Sequence, residues 1–143
     1  MALFQKKVIK NLDQTQEYLV RYSLRLPFGW SVKVHQILLS DGDRCRHSHP
    51  WIMIRVILKG GYTEEVGPGK FVELKPWRPW YPFRMYYAGW NFQHRIHKLT
   101  NGPNWSLVLM GPKKREWGFF VKGGWMHWKK FLSGGKNRID WCE

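Results

Sequence analysis

The chain has 143 residues, room for one ordinary domain and too few for two. Hydrophobic residues make up 43% and aromatics 17%, which excludes a disordered chain; ten tryptophans are more than one small core can bury fully, so some must cover surface or line a cavity. Twenty-four Lys and Arg against ten Asp and Glu give a formal net charge of +14, a balance that attracts polyanions weakly and nonspecifically, and no apolar run reaches the length of a membrane-crossing helix.

In chain order, the segment before residue 18 reads as a short helix, and its lack of an apolar leader leads us to expect a cytoplasmic protein. Short β-rich runs follow, separated by Gly and Pro. They are Tyr18–Leu26, Trp30–Leu39, Trp51–Leu58, Tyr62–Val66, Phe71–Leu74, Tyr81–Tyr87, His94–Leu99, Trp105–Met110 and Glu116–Val121. Gly60-Gly61 marks a hairpin turn between the third and fourth runs. Trp125–Leu132 reads as a second helix, and Gly134–Glu143 as a tail that frays or lies on the surface. Many short strands at turn-marked spacing predict an all-β sandwich or small barrel, one domain with its core at about residues 18–132. Cys45 and Cys142 say little: reduced thiols are the default, and a structural bridge between them is open but nothing in the sequence suggests it.

The chemistry concentrates at His47-Ser48-His49. Residues i and i+2 of an extended strand share a face, so two imidazoles can aim at one ion. A transition metal needs a further ligand. His94 and His97 are candidates, and their i, i+3 spacing lets only one of them join. If the alternation continues from His49, Trp51, Met53 and Arg55 share the histidine face, whereas a bulge at Pro50 would shift the register and turn Arg55 outward. A guanidinium there would need an anion, and its fork matches carboxylate or phosphate. The stretch Lys75–Tyr87 interleaves aromatics with Arg and Pro. It is read as a Pro-broken strand whose rings cap the barrel, with base stacking as the competing use.

The runs His47–Trp51 (H-x-H-P-W), Gly60–Glu64 (G-G-Y-x-E), His94-Arg95 and Gly111–Phe119, with R-E-W-G-F at its end, resemble the cupin superfamily. More narrowly they resemble small cupin-like proteins of bacteria and bacteriophages, a group that brings no activity with it. The resemblance implies a double-stranded β-helix, or jelly-roll, barrel with short terminal helical segments. It also implies a divalent transition metal (Fe, Mn, Ni or Zn) on two histidines of the first motif, a glutamate and a later histidine. The glutamate positions hold Met53 and Ile54 here. What remains is a three-histidine set, His47, His49 and His94, with Glu64 or His97 as additional ligand, Arg55 for an anion, and Trp51, Met53 and Tyr62 lining the pocket.

Three functions compete on this reading. One is a metal-dependent cupin acting on or binding a small anionic ligand. The second is a non-catalytic pocket for a nucleotide or other small ligand, as a phage-encoded counter-defence protein would need. The third is a nucleic-acid-binding protein using its basic aromatic surface. Cupins often pair, which leaves a homodimer open.

Overall fold

The structure is a computed structural model, and it describes residues 3–133 and 137–143. Eleven strands occur among them: β1 (Phe4–Lys10), β2 (Glu17–Arg25), β3 (Ser31–Ile37), β4 (Met53–Lys59), β5 (Tyr62–Gly67), β6 (Lys70–Leu74), β7 (Tyr86–Ala88), β8 (Arg95–Leu99), β9 (Asn104–Met110), β10 (Gly118–Val121) and β11 (Gly124–His127). One α-helix, α1, covers Trp128–Leu132, and two 3-10 turns cover Pro27–Gly29 and Ile139–Trp141.

The strands form a six-stranded sheet in the order β1-β2-β3-β9-β4-β7, a three-stranded sheet β6-β5-β8 and the hairpin β10-β11, all antiparallel. The segment around His47 joins the two smaller pieces. His47 bridges His94 on one side and Phe119 on the other. Ser48 N–H donates to Gly118 C=O, and Phe120 N–H to Arg46 C=O. A second face thus runs from β6 to β11 through residues 46–48. The main core lies between the two faces: Tyr18, Leu19, Ile37 and Ile57 from the large sheet meet Tyr62, Leu74 and Ile96 from the small one. A separate cluster of Leu12, Phe119, Val121 and Phe131 closes one end, with the Phe119 and Phe131 rings stacked.

Several expectations are corrected. The expected N-terminal helix is the edge strand β1, paired with β2 from Phe4↔Leu24 to Lys10↔Glu17. Its residues are mostly exposed, so they carry little hydrophobic period of either kind. The expected helix at Trp125–Leu132 is a strand as far as His127 and helical only from Trp128, because residues 124–127 pair with β10. The run Tyr81–Tyr87 is mostly turn, with a strand only at Tyr86–Ala88. Of the stretch Lys75–Tyr87 read as capping the barrel, Tyr86 packs on the core, but Trp80 is 78% and Phe83 85% exposed. Cys45 and Cys142 are not free thiols but form a disulfide across 97 residues of sequence. The described part of the tail is pinned by it, by a bridge of Val121 to Cys142 and by an ion pair of Glu143 with Arg46. Residues 134–136 of the expected tail lie outside the described residues. No described helix is long and apolar enough to cross a membrane.

Asp41 fixes the loop that carries the H-x-H motif. It is fully buried. One carboxylate oxygen accepts from the Tyr18 hydroxyl of β2, and the other from the Ile96 N–H of β8 at 2.7 Å. Its own N–H donates back to Ile96 C=O at 2.8 Å. Asp41→Ala would strand two buried donors, which cost about 1–3 kcal/mol each. We expect this variant to lose about 3 kcal/mol in urea unfolding, with the midpoint falling and the slope unchanged.

Candidate metal centre

Two local facts bring three histidines together. His47 and His94 exchange both backbone hydrogen bonds, His47 N–H to His94 C=O at 2.8 Å and the reverse at 3.1 Å. Such a pair stands directly opposite across a ladder and points its side chains to one face. His49 follows His47 by two residues in extended chain and shares that face. The ring centroids of His47 lie 5.1 Å from His49 and 4.8 Å from His94, and those of His49 and His94 are 4.9 Å apart. One nitrogen from each ring lies within 4.8 Å of the other two.

The orientation of His94 is set by Glu64 on β5. Burial pushes the Glu64 carboxyl up, but the contacts with His94 and Arg55 outweigh it and hold it at about 2. Glu64 is therefore an anion that only accepts. His94 Nδ1 must carry the hydrogen that it donates to Glu64 Oε2 at 2.6 Å, which turns Nε2 toward the other imidazoles. The Nε2 atoms of His49 and His94 are 2.9 Å apart. Imidazole nitrogens bind a transition ion at about 2.0–2.1 Å, so two nitrogens this close are within reach of one ion. The donor set fits a transition ion in its chemistry as well. Burial lowers His47 to about 4, with repulsion from His94 adding to the effect, and the same causes bring His49 well below its usual value. Both rings therefore stay neutral at physiological pH, the state in which imidazole binds metal.

The three histidines open onto a cavity of about 600 Å3 between the two faces of the barrel. Trp51, Met53, Arg55 and Tyr62 line it, as do Arg21, His35, Val108 and Met110. Met53 is buried there, at the position where the cupin resemblance calls for a glutamate. Arg55 points inward, as the alternation predicts, and the anion it meets belongs to the protein. Its Nη1 and Nη2 donate to the two oxygens of Glu64 at 2.8 and 3.1 Å, and Nη1 also reaches the Tyr62 hydroxyl at 3.3 Å. The guanidinium lies over the Phe92 ring at 4.8 Å. Glu64 stands behind His94 and is not among the residues whose donor atoms converge. His97 is exposed on β8 and packs on Phe71, away from the cluster. Sequence reasoning missed His35 and Arg21, which face the cavity from β3 and β2. The alternation of β2 and β3 carried that signal, since Arg21 and His35 sit directly opposite each other.

The sequence matches no protein-family model and no curated protein. Solved structures do resemble the fold. A cupin 2 conserved barrel domain protein from Rhodopseudomonas palustris superposes with a TM-score of 0.57 at 10% identity, over 82% of this chain and 78% of that one. The DMSP lyase DddQ from Ruegeria pomeroyi gives a TM-score of 0.57 at 15% identity, over 81% of this chain and 60% of that one. The iron(II) form of HppE gives 0.54 at 14% identity, over 74% and 56% respectively. The chain thus spans less than two thirds of the lyase and of HppE. The antiparallel faces, the His47 bridge that joins them and these superpositions together show an all-β barrel with the cupin fold.

Proposed function

We propose that the protein is a metal-binding cupin in which His47, His49 and His94 hold one divalent transition ion and the adjoining cavity takes a small anionic ligand. The observation that carries this reading is the convergence of three imidazoles on the cavity, with one of them oriented by a buried carboxylate. Metal-binding histidines recurrently donate their other nitrogen to such a carboxylate, which fixes the ring and raises its basicity. The iron in HppE supports the choice of a transition metal. An ion bound by three neutral ligands keeps its double charge and offers open positions to water or to a ligand oxygen. Around it, the Tyr62 hydroxyl accepts from Arg55, Arg55 holds Glu64, Glu64 holds His94, and Trp51 and Phe92 pack on the His49 ring.

Metal analysis of protein purified without a histidine tag tests this. We expect about one Fe, Mn, Ni or Zn ion per chain and its loss in His49→Ala. Glu64→Gln should weaken metal binding by about ten- to a hundredfold. Wild-type protein that takes up no stoichiometric ion in a cobalt titration would sink the reading.

Met53→Glu is the complementary test. Residue 53 is buried on the cavity side of β4, so the new carboxylate adds an anionic ligand beside three neutral ones. Metal affinity by calorimetry should rise by at least about tenfold. An unchanged affinity in a variant that still folds would show that residue 53 does not reach the ion.

A second reading has its own observation. Trp80, Tyr81 and Phe83 are exposed beside Arg78 and Arg84 in the loop before β7, an arrangement suited to stacking single-stranded bases. The net charge alone predicts weak retention on heparin that collapses in moderate salt. Oligonucleotide binding that persists in salt and falls with Trp80→Ala would favour this reading over the metal one.

A further inference from the structure

The large sheet carries a set of inward-facing cations that the histidine site does not use. Directly opposed residues of an antiparallel ladder share a face. Lys7 stands opposite Arg21, Arg21 opposite His35, and His35 opposite Ser106. In the next row Lys33 stands opposite Val108, and Val108 opposite Arg55. This is the cavity face, since Lys7, Arg21, His35, Val108 and Arg55 all line the cavity. Lys33 joins it through Trp51: its Nζ lies 5.2 Å from the Trp51 ring, which stacks at 6.2 Å on His49.

These cations differ from Arg55 in one respect. Arg55 is neutralised by Glu64, whereas no ion pair among the described residues involves Lys7, Arg21 or Lys33. Arg21 spends only its Nε, which donates to His35 Nε2 at 3.2 Å. Its two terminal amino groups, the fork that fits carboxylate or phosphate bidentately, have no partner among the described residues. His35 is kept neutral: burial lowers it to about 3, with Arg21 and Lys33 adding to the effect, so it accepts from Arg21 without repelling it. Holding the half-buried Arg21 and Lys33 together is unfavourable, while Lys7 at the rim stays exposed. Burial, then Arg21, Lys7 and Arg25, pull Lys33 down to about 8. An anion among them would relieve that cost.

We infer that Arg21 and Lys33, with Lys7 at the rim, form an anion subsite on the β1–β3 wall that holds a phosphate or carboxylate of a small ligand whose other end reaches the histidines. The inference deepens the proposed function and rests on it for the ligand's second end. The subsite itself needs no metal. A cavity of about 600 Å3 is within the range that encloses small molecules. Arg55 stays with Glu64, so the cation that reads the ligand is on β2 and not on β4.

Inorganic phosphate is the probe, titrated by calorimetry at fixed physiological ionic strength into metal-free and cobalt-loaded protein. The metal-free wild type should bind phosphate. Arg21→Gln and Lys33→Gln should each weaken it about tenfold or more, and Arg21→Lys, which keeps the charge and loses the fork, should fall between. Lys70→Gln, on an exposed strand of the opposite face, should leave the affinity unchanged. Thermal melts identify any variant that fails to fold, and Arg21→Lys serves in place of Arg21→Gln if that one does. If metal-free wild type binds no phosphate, or if Lys70→Gln weakens it as much as Arg21→Gln does, the subsite is refuted. Phosphate that binds only the cobalt-loaded protein, and does so equally in Arg21→Gln, overturns the subsite while supporting the metal centre. Arg21-dependent phosphate binding in a protein that takes up no cobalt sustains the subsite and sinks the metal centre.

Discussion

Glu64 is a carboxylate buried inside the barrel between a guanidinium and an imidazole, and much of the interior is arranged around that fact. Taking a carboxylate and a guanidinium out of water costs several kcal/mol per ion, and only close geometry with every oxygen used offsets it. Here both oxygens accept from Arg55, and one accepts from His94 as well. Arg55 is in turn held by the Tyr62 hydroxyl and the Phe92 face. A buried pair of this kind adds little net stability, so what it supplies is position. It fixes which nitrogen of His94 carries the hydrogen and which way the other points. It also withdraws Arg55 from ligand binding, because a guanidinium already met bidentately has little left to offer.

The second constraint is topological. Residues 46–48 join the two smaller sheet pieces, His47 pairing with His94 on one side and Phe119 on the other. The H-x-H motif is therefore also the seam of the barrel. Arg46 and Ser48, which flank His47, are both buried and face away from the cavity. Arg46 is tied to Gln93, Glu65 and Glu143, and Ser48 to Gly118. Side chains on one side of the seam hold the two pieces together, and those on the other face the cavity. A strand this well held can present two imidazoles without relying on a flexible loop.

Much of the site is legible in the sequence because it rests on local periodicity. The i, i+2 rule puts His47 and His49 on one face, and the same alternation carried through Pro50 sends Arg55 inward. The all-β fold is legible for the same reason, from short apolar runs between Gly and Pro. What depends on distant pairing is not. The choice between His94 and His97 is made by a cross-strand bridge to His47, some 47 residues away. The disulfide joins Cys45 to a cysteine 97 residues later, and no local pattern announces it. The N-terminal strand exists because β2 offers an edge, while its own residues stay mostly exposed. Glu64 is visible in the sequence, but its partners are not, so its place behind His94 emerges only from the fold.

The distribution of charge inside the cavity follows from these placements. On the β4–β5 side, one carboxylate cancels one guanidinium, and that wall is close to neutral. On the β1–β3 side, no ion pair among the described residues involves Arg21, Lys33 or Lys7. His47 and His49 between these walls are neutral, and a metal held by imidazoles would keep its double charge. On the proposed reading the cavity is therefore polarised, with positive charge at the ion and along the β2–β3 wall and none on the opposite side. Between the two faces of a barrel such a field acts more strongly than on an open surface. A ligand with a negative group at each end would be held at both, and one with a single negative group would be drawn toward one end or the other. The net charge of +14 seen in the sequence is mostly a property of the outer surface. The part that can select a ligand is the small share of it that the alternation of β2 and β3 turns inward.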